Sequence, residues 1–348
     1  MWQKLNKPII GLSPMDGVSD HPFRHITKKY GHPDIVYTEF ASVEGICHGA
    51  SKLLKDFIYD EIQRPILAQV FGSTPASFRQ TATMLCEMGF DGIDINMGCP
   101  APNVASHGAG AGLIKTPKLA QEIIQATKDG IQDYLSGKKT RDCPDIKEKI
   151  WSQVEKKHQQ LPESLQIPRQ IPVSVKTRVG YDKEVINDWI PNLLEMQPAA
   201  IALHGRTLKQ RYLGDADWQL IAKAAELVHQ TDTLILGNGD ITSRQMALEY
   251  AQKYDVDGIL IGRASFGNPW IFLDSQKNTD NPFAVALEHA QLYENTYAQN
   301  PKYHFLPMRK HLGWYIRGID KAKEIRLKIF QTNTAAQVEQ IFKEYQLI

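Results

Sequence analysis

The stretch GIDINMGCPAPNV, residues 92–104, alternates apolar and polar positions as far as Asn96 and then breaks into Gly98, Cys99, Pro100 and Pro102. Such a pattern reads as a short buried strand running into a loop. Seven other runs in the first 270 residues have the same character: PIIGLSPM, DIVYTEF, PILAQVFG, PVSVKTRVG, AIALHGR, TLILGNGD and DGILIGRA. Between them lie amphipathic helix patterns. In GSTPASFRQTATMLCEMGF, Ser73 or Thr74 caps, Pro75 suits the first turn, Phe78, Ala82, Leu85 and Met88 recur at helical spacing, and Gly89 ends the helix. Eight strands alternating with helices predict an α/β fold, a (β/α)8 TIM barrel followed by a smaller C-terminal helical domain.

The expected organisation is a barrel over residues 1–275, carrying a polar insertion at about 131–170 with its own helix near 145–159, and helices over 283–348. The 348 residues carry a net charge of +1, and no apolar run approaches the length of a membrane span. Four scattered cysteines form no C-x-x-C pair, which predicts a reducing, cytoplasmic setting without disulfides or structural zinc. The mean charge conceals a basic segment: Lys302 to Lys328 holds eight Lys or Arg against two acids, net +6. Taken alone that is most simply a solvated helical face.

Barrel enzymes build their sites at the C-terminal ends of the strands. The polar residues there are Asp16 beside Pro14 and Met15, then Gln69, Asn96, Cys99, Lys176, Arg178, His204, Arg206, Asn238, Asp240 and Arg263. Unpaired burial of such charges costs several kcal/mol, so ion pairs or a polar ligand must lie among them. GNGD (237–240) and IGRAS (261–265) put glycines and a guanidinium after the last two strands, where barrels bind phosphate. Lys176 suits either a Schiff base or a fixed positive charge beside an electron-accepting ring. His204 suits a metal, a general acid role or a cofactor hydrogen bond, and the absence of an accompanying carboxylate set argues against metal. Cys99, followed by the glycines of 108–112, is placed as a proton donor or a nucleophile according to its pKa. Cys86 and Cys143 read as bystanders.

In IDINMGCPAPNVASHGAGA the chain resembles the tRNA-dihydrouridine synthases, closest to their bacterial B-type branch. The resemblance extends through SPMDGVSDHPFR, QVFGSTP, VKTRVG, LHGRT, GNGDI, IGRASFGNPWIF and MRKHLGWYIRG. It implies a cytoplasmic, monomeric enzyme that uses FMN, with NADPH or alternatively NADH as reductant, to reduce the C5=C6 bond of uridine in the tRNA D-loop. Hydride passes from flavin N5 to C6, and Cys99 gives the proton to C5. Pro14, Met15, Asp16 and Gln69 are implied to line the isoalloxazine, with Lys176 and His204 in contact with it. Asn238, Gly239, Asp240, Gly262 and Arg263 are implied to hold the phosphate. Asn96, Arg178 and Arg206 fall on the uridine side, and Arg309, Lys310 and His311 on the tRNA backbone; no metal or membrane is implied. A flavin pyrimidine oxidoreductase of the dihydroorotate dehydrogenase type, or a barrel that binds RNA without catalysis, accounts for only part of this set.

Overall fold

Side-chain alternation along the strands decides which residues meet inside this chain. The computed structural model describes residues 1–105, 108–211, 213–274 and 280–348. Ser106 and His107 of the loop motif, and residue 275 at the expected end of the barrel, lie outside them. The strands are β1 Ile9–Leu12, β2 Val36–Tyr37, β3 Ala41–Ser42, β4 Ile66–Phe71, β5 Gly92–Met97, β6 Val173–Arg178, β7 Ala200–His204, β8 Leu234–Asn238 and β9 Gly258–Ile261. All pair in parallel in the order β1-β9-β8-β7-β6-β5-β4-β2, with the two-residue β3 also on β4. The open side between β1 and β2 is bridged by hydrogen bonds from Leu12 N–H to the Ile35 carbonyl and from Asp34 N–H to the Ile10 carbonyl, each 2.9 Å. The eight expected strands therefore form the barrel. The additional β3 extends the second run after a break.

Because a strand's side chains alternate, each strand feeds two cores. Ile10, Ile66, Ile93, Val175, Ile201, Ile235 and Ile259 face the outer helices. Ile9, Leu67, Ala200, Ala202, Leu236 and Leu260 form a separate inner cluster, and Trp2 from the short helix Trp2–Lys4 packs with them. The same parity places Gln69, Asp94, Asn96, Ser174, Lys176, Arg178, His204 and Asn238 on the inner side. The lower barrel is thus apolar and the upper barrel polar.

The helix Pro75–Glu87 forms where its spacing predicts, with one difference at its start. Thr74 occupies the cap position but its hydroxyl does not cap; the Glu44 carboxylate instead accepts from the amides of Ser73 (2.7 Å) and Thr74 (2.9 Å). This helix crosses Pro117–Leu135 so closely that a Cβ on Gly130 would lie 2.0 Å from the Arg79 carbonyl oxygen. Alanine favours a helix over glycine by about 1 kcal/mol, but overpacking here costs roughly 3 kcal/mol. Gly130→Ala is accordingly expected to lower stability by about 2 kcal/mol in urea denaturation, opposite in sign to helix propensity.

The insertion begins later than the sequence pattern places it. Residues 131–135 complete the helix Pro117–Leu135, with Ile131 and Tyr134 buried. Beyond it, the helix Glu148–Gln159 matches the expected one, and Cys143, Ile146, Ile150, Val154 and Leu161 join the outer core. Thr140 donates to Glu87 through both its amide (2.7 Å) and its hydroxyl (2.5 Å), fastening the segment to the helix Pro75–Glu87. Its inward face is a structural cover.

The helices Pro282–Tyr297, Leu306–Tyr315, Ala322–Ile329 and Ala335–Glu344 enclose a further core around Ala286, Ala290, Met308, Leu312, Ile329 and Phe342. Ile26 and Trp270 from the barrel side enter that core, so the helices are seated on the barrel.

Candidate active site at the barrel mouth

The polar upper barrel opens into a cavity of about 600 Å³. Pro14, Met15 and Asp16 line one wall, Asn96 and Cys99 a second, Lys176, Arg178 and His204 a third, and Asn238, Gly239, Asp240, Gly262 and Arg263 the fourth. Four strong cations, Lys176, Arg178, Arg211 and Arg263, face two carboxylates, Asp16 and Asp240. Asp240 is already paired with Arg206 (2.5 Å) and Arg263 (2.8 Å). The cavity is therefore electropositive.

Buried polar groups connect the barrel centre to the thiol. Ser174 donates to Asp94 (2.6 Å), Gln69 donates to the other Asp94 oxygen (2.7 Å), and Asn96 Nδ2 donates to Gln69 Oε1 (3.0 Å). Asn96 Oδ1 then accepts from the amides of Gly98 (3.0 Å) and Cys99 (2.8 Å). Burial pushes the Asp94 carboxyl up to about 6, opposed by those hydrogen bonds and by Lys176. Arg178 Nε donates to the Gly98 carbonyl at 2.7 Å, so the Cys99 loop is held from both sides.

Cys99 is 7% exposed. Burial pushes its thiol up, the Ala101 amide and Arg178 oppose this, and Asp16 adds to it. The thiol is protonated at neutral pH, which suits proton donation. Lys176 donates to Asn238 Oδ1 (3.1 Å) while Asn238 Nδ2 is anchored on the Leu260 carbonyl (2.8 Å). Burial, with Arg178 alongside, lowers the ammonium to about 8. His204 is held well below its ordinary range by burial and the surrounding cations, so its imidazole is neutral.

The last two strand ends form a backbone cradle. Gly239 has φ +137°, where a Cβ would collide with Ala216, and Asp240 has φ +57°. The amides of Gly239, Asp240 and Gly262 carry no hydrogen bond to the protein among the described residues. Free amides, a guanidinium and an excess of cations are the donor set that a phosphate requires, so these residues fit a phosphate-bearing cofactor.

Several expected residues stand elsewhere. Gln69 is fully buried and lines no part of the cavity, because Asp94 and Asn96 occupy its amide; it supports the wall and does not meet a ring. Arg206 is turned out of the cavity onto the Gly214 carbonyl and Asp240. Asp240 itself bears negative charge: burial works against it, but bonds from Arg206 and the Ala216 amide keep its carboxyl below the usual range. It orients Arg263 and would repel an anion. The Asn96 oxygen is filled by two amides, which leaves only an N–H for a ligand. The sequence reading passed over Asp94 and Ser174, which the inward parity of β5 and β6 could have identified.

A larger groove of about 1320 Å³ separates the barrel from the C-terminal helices. Lys52 and Lys55 stand on the barrel wall; Lys302, Arg309, Lys310 and Arg317 stand on the helical wall. Arg309 is braced on the Thr332 carbonyl and Asn333 (both 2.7 Å), and Lys310 on the Gly17 carbonyl. His311 corrects the expectation: it is 1% exposed, packed against Phe23 and His289, and cannot reach a ligand in the groove. Helical spacing turns it inward while Arg309 and Lys310 face the groove. His311→Leu is expected to change the melting temperature by a few degrees and to leave the affinity for RNA and its salt dependence unaltered, as thermal unfolding beside a binding titration would check.

A parallel barrel whose polar cavity opens at the carboxyl ends of its strands, with a protonated thiol on one wall, defines a (β/α)8-barrel enzyme. The family model described as dihydrouridine synthase (Dus) matches residues 11–160 and 150–347. A probable tRNA-dihydrouridine synthase of Staphylococcus aureus (strain COL) is 34% identical over 99% of this chain and 95% of its own length. A probable tRNA-dihydrouridine synthase 2 of Bacillus subtilis (strain 168) is 33% identical over 99% of the chain and 96% of its own. Among solved structures, morphinone reductase in complex with tetrahydroNAD aligns over 77% of this chain and 86% of its own, with a TM-score of 0.45 and 9% identity. The chain belongs to the dihydrouridine synthase family.

Proposed function

We propose that this protein is a cytoplasmic, monomeric tRNA-dihydrouridine synthase that reduces the C5=C6 bond of a D-loop uridine, with FMN as cofactor and NADPH as reductant. The observation that carries the reading is one of adjacency: Asp16 and Phe40 line both the barrel cavity and the basic groove, so the two adjoin. A polyanion lying along the lysines and arginines has a route by which one unstacked base reaches Cys99. Residues 1–275 serve as the catalytic part and 283–348 grip the RNA.

FMN, when bound, would supply the hydride for C6 of the uracil. Asn238, Gly239, Gly262 and Arg263 would hold its phosphate, and Pro14 to Asp16, Lys176 and neutral His204 would contact its ring system. Lys176 contributes a positive charge where negative charge develops. Asn96 offers its remaining N–H to a uracil carbonyl. Cys99 delivers its proton to C5, and being protonated beforehand it needs no prior uptake. Arg178 and Asn96 fix the loop on which that transfer depends.

The test is to purify the protein, identify any flavin it carries, and measure dihydrouridine by mass spectrometry in tRNA transcripts incubated with it and NADPH. Dihydrouridine formed in proportion to NADPH consumed is the expected result. A flavin-bearing protein that reduces free pyrimidines while leaving tRNA untouched would overturn the reading.

A further inference from the structure

Of the four strong cations that line the cavity, three are engaged with the protein: Lys176 with Asn238 (3.1 Å), Arg178 with the Gly98 carbonyl (2.7 Å) and Arg263 with Asp240 (2.8 Å). The fourth, Arg211, is exposed, and its guanidinium makes no hydrogen bond or ion pair among the described residues. Its backbone stands at φ +49°, a left-handed angle that arginine seldom adopts. The loop that carries it is fixed. The amides of Leu208 and Lys209 bond to the carbonyls of Gly180 (3.0 Å) and Tyr181 (2.9 Å) on the loop after β6, and the Arg211 amide bonds to the Leu208 carbonyl (3.0 Å). Lys209 is a second exposed cation on this rim, 3.7 Å from Asp182. The carboxylates of the two loops, Asp182, Glu184 and Asp215, line no part of the cavity. Strand order gives the rim its place. β1 and β2 adjoin where the barrel closes, and Asp16 and Phe40, which follow them, face the basic groove. Round the order β1-β9-β8-β7-β6-β5-β4-β2, the strands directly across from that pair are β6 and β7. A polyanion in the groove therefore meets the cavity from one side, and Arg211 stands on the other.

We infer that Arg211, assisted by Lys209, takes the 2′-phosphate of NADPH, so that the reductant is selected over NADH on the rim opposite the RNA. The inference rests on the proposed reading of the chain as a flavin enzyme reduced by a nicotinamide. NADPH differs from NADH by one phosphate, close to a dianion at neutral pH, carried on the adenosine and remote from the hydride it gives. Telling the two apart thus requires a cation at the edge of the site. It also requires one that no protein carboxylate neutralises and that the flavin phosphate does not occupy. Arg263 and the free amides after β8 and β9 suit the flavin phosphate, which leaves Arg211 as a separate anion site. A guanidinium meets phosphate oxygens two at a time, and an arginine is the group that accommodates the 2′-phosphate in other nicotinamide sites. An RNA phosphate suits Arg211 less well, because the cations arrayed for RNA, Lys52, Lys55, Lys302, Arg309, Lys310 and Arg317, line the groove across the barrel.

The experiment measures binding of 2′,5′-ADP and of 5′-AMP to the flavin-bearing protein by calorimetry, and reduction of the flavin by NADPH and by NADH in stopped flow without RNA. The unaltered protein is expected to bind 2′,5′-ADP roughly tenfold or more tighter than 5′-AMP. Arg211→Ala should weaken 2′,5′-ADP by roughly 10–100-fold. It should raise the NADPH concentration for half-maximal flavin reduction by as much, with the limiting rate and the response to NADH unchanged. Arg211→Lys, which keeps the charge, should recover part of the preference. Equal binding of the two nucleotides by the unaltered protein overturns the subsite, and this arm stands even if the variant misfolds. An Arg211→Ala protein that keeps its preference for NADPH also overturns it, and a raised KM for tRNA in that protein would give the arginine to the RNA. Recognition of the 2′-phosphate through Arg211 without any dihydrouridine formed on tRNA would sustain the subsite and defeat the proposed reaction.

Discussion

Cys99→Ala is expected to lower dihydrouridine formation on tRNA by about 10²–10⁴-fold, the range by which a positioned proton donor contributes, while the protein keeps its flavin and still oxidises NADPH with an added electron acceptor. The separation of the two effects follows from position. Cys99 stands on the wall after β5, whereas the free amides and Arg263 stand after β8 and β9 across the cavity. Removing a thiol leaves that cradle intact. Cys99→Ser retains a proton, but a hydroxyl is far less acidic than a thiol, so it should recover little of the rate. The pH profile offers a further check: burial raises the thiol, so Cys99 is protonated through neutrality and its contribution is lost only as pH climbs beyond the usual thiol range. Parallel loss of flavin in Cys99→Ala would make the residue a structural one.

Arg263→Ala carries the second large effect, a loss of roughly 10–100-fold in FMN affinity, as expected for removing a charge-assisted bond to phosphate. The guanidinium is 54% exposed at the cavity edge, and Asp240 at 2.8 Å aims it. Without Arg263, Asp240 keeps Arg206 and the Ala216 amide, so its negative charge persists beside the cradle and adds repulsion to the lost attraction. Asp240→Asn should do less harm, since the charge leaves with the orientation. Lys176 adds a pH dependence to the same equilibrium. It is cationic below about 8 and neutral above, so FMN affinity should hold at neutral pH and fall as pH rises through that value. Equilibrium dialysis of FMN against the variants, across pH 6 to 10, measures both. An unchanged affinity in Arg263→Ala would move the phosphate elsewhere.

The curated relatives and the family match bear on what the chain is; the geometry bears on how its residues divide the work. Arg178 and Asn96 are a case in point. Both lie at strand ends and read from the sequence as groups that meet substrate, yet Asn96 spends two of its three side-chain hydrogen bonds on the Cys99 loop and Arg178 holds the same loop through its Nε on the Gly98 carbonyl. His311 lies within a basic stretch and is nevertheless core.

What the sequence by itself determined was the barrel and its polar rim. Apolar strand runs and helical spacing are local signals, and a period of two places Asn96, Lys176 and His204 on the inner face of whichever barrel the strands close. The Gly-rich turns after the last two strands are equally local, because only glycine or a short polar residue adopts their backbone angles readily. The start of the insertion was misplaced although its signal is local: Gly137, at φ +97°, follows Ser136 and closes the helix Pro117–Leu135 as a glycine helix end. Only the tertiary structure decided which polar groups face the ligand and which hold the wall. That depends on partners distant along the chain: Asp94 for Gln69, Asp240 for Arg206, and Phe23 for His311. It also decided that the catalytic cavity and the basic groove share Asp16 and Phe40. Burial and electrostatic neighbourhood arise from packing between segments, and no local pattern of residues encodes them.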